Sequence, residues 1–159
     1  MSAADRKKVR EAIQKYTKAA AWEAKCIREN DPPDYGYVRA HLRGYIFSKY
    51  MMPEDECRSD AVADLTEASL ARMMRVTPEL AAQLDTARSC AGATSATVKK
   101  ALLFQAMERD FCIVLPAAEA VAAKDVSALA RLVLRCTVRQ RPDVPGINPY
   151  PQIDSSDFP

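Results

Sequence analysis

Residues 94–116 read TSATVKKALLFQAMERDFCIVLP. Leu103, Ala106, Met107 and Phe111 recur at spacings of three and four. That period predicts a helix over about 96–111 with those side chains on its core face. The small polar stretch Ser89–Ser95 before it reads as a loop. Ser95, alone or with Thr94, is suited to cap the helix start, because a side-chain oxygen there accepts from an otherwise unpaired N–H. Ile113, Val114 and Leu115 are too few to make a sheet alone, and Pro116 ends the run.

Helical signals extend to both sides. Val9, Ile13, Tyr16, Ala20, Ala24 and Ile27 form one apolar stripe over about 3–29, and Arg6, Lys7, Lys8, Arg10, Lys15, Lys18 and Lys25 decorate the rest. Asn30-Asp31-Pro32-Pro33 stops that helix, because proline excludes the α conformation from the residue before it. A second helix fits about 34–51 on Val38, Leu42, Tyr45 and Ile46, with Gly44 weakening it by about 1 kcal/mol relative to alanine. Pro53-Glu54-Asp55-Glu56 reads as a restart that runs to about Met74 and buries Ala61, Val62, Leu65, Ala68, Ser69 and Met73. Thr77 is a plausible N-cap with Pro78 in the first helical position, opening a short turn over 78–86. Val126, Leu129, Leu132 and Val133 mark a last helix over about 125–137. The expected class is all-α.

Composition narrows the function. The 159 residues are 48% hydrophobic and 28% charged, enough for a sizeable core and too apolar for a wholly disordered chain. The net charge of +2 does not point to nucleic acid. No apolar run approaches the roughly 18 residues of a membrane span, so no membrane is expected. Five scattered cysteines without a C-x-x-C pair, and no signal-like start, read as reduced thiols in a cytoplasm. Five of the ten prolines fall from Arg141 onward, which predicts an extended or disordered tail.

Ala91-Gly92-Ala93-Thr94-Ser95 is similar to an L-G-[AG]-[DT]-S motif, and through it and the stretches that follow, residues 58–136 resemble an acyl carrier protein, a family in which that serine opens the second helix and carries 4′-phosphopantetheine. The run Leu103–Pro116 resembles the end of that helix, and the spacing from Pro116 to Val126, Leu129 and Val133 suits the last one. Met74-Arg75-Val76-Thr77-Pro78-Glu79 looks like the exit from the first. The resemblance implies a four-helix carrier-like bundle over 55–137, a helical extension over 1–54 holding two extra helices, and a proline-rich tail over 138–159.

It also implies an acyl or related intermediate tethered through 4′-phosphopantetheine at Ser95 for a dedicated partner enzyme, the group being installed by a phosphopantetheinyl transferase. Counting back from Phe111 reaches Thr97 instead, so Thr97 is the alternative attachment residue. Thr94 stands where the family has an aspartate. Lys99 and Lys100 replace the acids of the family's second helix, so Val98, Lys99 and Lys100 would meet a partner enzyme with an acidic docking surface. A phosphate at a helix start is favoured by the unpaired N–H groups there. The runner-up is a degenerate carrier fold without a prosthetic group, acting as a helical adaptor or subunit.

Other residue sets carry less. His41 with Cys90 could form a Cys–His pair, or each could be structural. Tyr35, Tyr37, Tyr45, Phe47 and Tyr50 with Arg39, Arg43 and Lys49 could stack and hold single-stranded nucleic acid, or the aromatics could pack between helices. Asp60, Asp64 and Glu67 form an acidic strip of the kind an exposed helix face shows. With no convincing acid, base and nucleophile together, no enzyme is expected.

Overall fold

Seven helices and no strand form among the described residues of the computed structural model, which are 3–88 and 94–140. They are α1 (Ala3–Glu29), α2 (Tyr35–Lys49), α3 (Val62–Met74), α4 (Pro78–Arg88), α5 (Ser95–Phe111), α6 (Ala117–Ala122) and α7 (Val126–Arg139). The all-α expectation holds. Residues 62–139 contain five helices rather than four, because Ala117–Ala122 closes a turn of its own behind Pro116. The tail beyond Gln140 and the segment 89–93, with Cys90, lie outside the described residues.

One buried set joins the helices. It draws Ala20, Ala24 and Ile27 from α1 and Val38, Leu42, Tyr45, Ile46 and Phe47 from α2. Val62 and Leu65 come from α3, Leu103, Met107 and Phe111 from α5, and Val126, Leu129, Leu132 and Val133 from α7. Of the aromatic residues proposed for stacking, Tyr45, Phe47 and Tyr50 are therefore core. Gly44 is a close-approach site: a Cβ there would stand 2.7 Å from the Glu23 carboxylate of α1. That carboxylate meets His41 Nδ1 at 2.6 Å, so His41 is engaged with α1.

Pro53–Glu56 starts no helix, contrary to the sequence expectation; α3 begins at Val62. The reason is tertiary. Arg43 of α2 donates to the carbonyls of Cys57 and Ser59 at 3.0 and 3.1 Å, and Arg39 and Arg43 both pair with Asp60. The Val62 N–H donates to Lys124 O, and the Val126 N–H to Asp60 O, each at 2.9 Å, laying this strip beside the entry to α7. Backbone groups spent on these bonds are not available to a helix ladder. Asp60 is thus an arginine anchor; Asp64 accepts from the Ser59 hydroxyl at 2.5 Å.

Asp110, at the end of α5, joins α5 to α2. It accepts from the Tyr45 hydroxyl at 2.9 Å and pairs with Lys49 at 2.7 Å and Arg109 at 2.8 Å. Arg28 of α1 donates to the Asp110 carbonyl at 2.6 Å. Burial pushes the carboxyl up, but Arg109, Lys49 and Tyr45 outweigh it and bring it from 3.8 to about 2. Burial, reinforced by the bond to Asp110, holds the Tyr45 hydroxyl far above its ordinary range.

A carboxyl lowered in the folded state stabilises it above the ordinary value and loses that contribution as pH falls. Asp110 therefore supports the fold fully above about pH 4 and progressively less toward about pH 2. Asp110→Asn should destabilise the protein by about 1–3 kcal/mol at neutral pH. Its urea midpoint should also change less between pH 5 and pH 3 than that of the wild type, roughly the window of this titration. An unchanged midpoint at neutral pH would remove this junction from the account.

Candidate functional site

α5 begins at the residues that the sequence singled out. Thr94, in extended conformation, is the N-cap, and its hydroxyl accepts from the Thr97 N–H at 3.2 Å. Ser95 is the first helical residue and is exposed. The hydroxyl of Thr97, also exposed, lies 3.0 Å from that of Thr94. Ser95 is thus exposed at the helix start, as expected, but Thr94 supplies the cap that the sequence analysis offered to Ser95.

The helix start is nonetheless filled. Asp85, on α4, accepts from the Ser95 N–H at 2.8 Å with one carboxylate oxygen and from the Ala96 N–H at 3.0 Å with the other. The Ser95 side chain bonds the same carboxylate, and that bond, ahead of the Ala96 N–H, lowers the Asp85 carboxyl below its ordinary 3.8. The donors that the sequence analysis offered to a phosphate are occupied by an internal anion. No periodicity links Asp85 to Ser95, ten residues on; only the tertiary fold brings them together.

Beside Ser95 an apolar groove of about 520 Å³ runs between α3 and α5. Leu70 and Met73 line one wall, Val98, Leu102, Leu103 and Ala106 the other, and Lys49 and Tyr50 the end of α2. Ser95 stands among its lining residues, and Thr97 does not. Met73, expected in the core, is 64% exposed; Val98 and Leu102 are 50% and 57% exposed. Met73 lies two residues before Arg75, which ends α3 in the left-handed conformation that turns the chain toward α4. Among the described residues no helix covers Met73 there.

The three residues expected to meet a partner are divided. Val98 and Lys99 line the groove, while Lys100 donates to the Val121 carbonyl of α6 at 3.2 Å and lies over Phe104. The Lys99 ammonium lies 5.3 Å from the Tyr50 ring centroid and 3.0 Å from the Met73 sulfur, in no ion pair among the described residues. Burial lowers its pKa. Lys49, by contrast, has Asp110, and Arg39 and Arg43 have Asp60.

Among the described residues no cluster of three or more His, Cys, Asp or Glu could hold a metal ion, and no helix is long and apolar enough to cross a membrane. No family model, no curated protein and no solved structure matches the chain.

Asp85→Ala removes the acceptor and leaves two N–H groups open to water. Amide hydrogen exchange at Ser95 and Ala96 should accelerate in this variant while α7 is unaffected. In the wild type the same amides should exchange faster, relative to the intrinsic rate, as pH falls through the lowered Asp85 value. Equal protection in the two proteins would show that the carboxylate does not hold the helix start.

Proposed function

We propose that the chain is a carrier-like helical module without a prosthetic group, working as an adaptor that docks a partner protein in the α3–α5 groove. The observation that carries this reading is the Asp85 carboxylate on the first amides of α5. A phosphodiester on the Ser95 oxygen would bring a second anion against Asp85, with the compensating N–H donors already engaged. The residues present do not fit the group.

The groove supports the docking half. It offers half-exposed Val98, Leu102 and Met73 with one ammonium, Lys99, that has no acid paired with it among the described residues. A partner surface of apolar side chains with a carboxylate at its edge would cover the first and pair with the second. Partners of this kind match the acidic docking surface expected from the lysines of α5. A second reading, an acyl tether at Ser95 or Thr97, is favoured by one observation: Ser95 is exposed at the rim of the groove.

Intact-mass measurement after co-expression with a broad-specificity phosphopantetheinyl transferase separates the two. The adaptor reading expects unmodified protein while a control carrier in the same cells is converted. A phosphopantetheine adduct that disappears in Ser95→Ala overturns it in favour of the tether; one lost only in Thr97→Val overturns it with the attachment moved to position 97. For the docking face, a partner recovered from the native host on wild-type protein should be lost on Lys99→Glu. Equal recovery would exclude the groove.

A further inference from the structure

α1 is longer than the helix it packs on. Its 27 residues span about 40 Å, against about 22 Å for the 15 of α2. Burial follows that difference. Ala20, Ala24 and Ile27 are core, whereas every described side chain from Asp5 to Lys15 is exposed. The apolar stripe does not stop where the packing stops: Val9 and Ile13, on the face that carries Ala20 and Ile27, are 49% and 48% exposed, and Tyr16 is half-buried. The stripe continues the α1–α2 interface, and none of the described residues covers it.

Charge decides what fits there. Arg6, Lys7, Lys8, Arg10, Lys15 and Lys18 stand against two acids, Asp5 and Glu11, in this segment. Lys7 pairs with Glu11 at 3.9 Å, and Lys15 lies over Tyr16. Arg6, Lys8, Arg10 and Lys18 stand in no ion pair among the described residues. At 100° per residue, Val9, Ile13 and Tyr16 fall within about 60° of one another. Arg6 and Arg10 flank them on one side, and Lys8 and Lys15 on the other. A second copy of the same segment would bring like charges together. A nucleic-acid backbone would use the cations and leave the apolar stripe idle.

We propose that the first four turns of α1 lie on an anionic lipid surface, with Val9, Ile13 and Tyr16 entering the acyl boundary and the flanking cations at headgroup level. Lying on a bilayer is a different physical state from crossing one, so the absence of a spanning helix among the described residues is compatible with it. The site is separate from the α3–α5 groove and does not depend on what that groove binds.

Flotation of the full chain with vesicles tests this. Vesicles of equal parts phosphatidylglycerol and phosphatidylcholine should carry the protein at low ionic strength. Pure phosphatidylcholine vesicles should not, and binding should fall sharply at about 1 M salt, where the Debye length is about 3 Å. Replacing Arg6, Lys8, Arg10 and Lys15, the cations that flank the stripe, by Gln should weaken partitioning by roughly fivefold per cation. Ile13→Glu should weaken it by about tenfold or more. Both variants alter exposed positions, and unchanged thermal midpoints would confirm that they fold. No flotation with anionic vesicles overturns the proposal. So does equal binding to neutral vesicles, or binding unaffected by either variant. Saturable binding of a single-stranded oligonucleotide, or self-association through α1, in protein that ignores the vesicles also overturns it.

Discussion

The Asp110 carboxylate is the point on which the packing of α1 and α2 against the other helices turns. Tyr45 donates to it and Lys49 pairs with it from α2, while Arg28 of α1 reaches the carbonyl of the same residue. Tyr45 is wholly buried and stacks at a tilt on Phe111, the residue after Asp110, so the polar contact and the apolar contact register the same two helices. Apolar packing is tolerant of small slips; a hydroxyl aimed at a carboxylate is not. A second carboxylate, Asp60, does the same service at the other end of α2 by holding Arg39 and Arg43.

With that frame fixed, the end of α2 becomes part of the working surface. Tyr50 and Lys49 close one end of the α3–α5 groove, and Lys99 rests over the Tyr50 ring. α2 is therefore not an appendage to the groove but closes one end of it. At the start of α5 the protein supplies its own anion. Asp85 satisfies the amides of Ser95 and Ala96, which removes the electrostatic attraction for a phosphate and leaves the apolar wall as the chemically distinctive feature. An open apolar wall, with an ammonium that no acid pairs with among the described residues, is the feature on which the proposed protein partner rests.

The helices were legible wherever a period of three and four repeated, as in Leu103, Met107 and Phe111 or Val126, Leu129 and Val133, because burial of one face is a local pattern. The cap of α4 was also legible: Thr77 accepts from the Leu80 N–H and Pro78 opens the helix. The failures share a cause. Pro53–Glu56 carries good local signals for a helix start, but arginines from α2 claim the backbone that follows. Met73 keeps the period of a core residue and is exposed, with no helix above it among the described residues. Gly44 looked like a weakness in α2 and instead admits the Glu23 carboxylate. Of the site, Ser95, Val98 and Lys99 could be named from the chain, whereas Asp85 could not. Its role is a contact across a segment with no repeating pattern, and such pairings leave no mark in composition or spacing.

Most of the functional reading rests on whether that carboxylate is charged and in place. Carbon-detected NMR titration of the Asp85 side chain measures this directly. An Asp85 carboxyl that titrates below the ordinary aspartate range, moving back toward it in Ser95→Ala, is the predicted result. A carboxyl that titrates at the ordinary value and is indifferent to the residue at position 95 would contradict it, and would return the start of α5 to service as an open anion site.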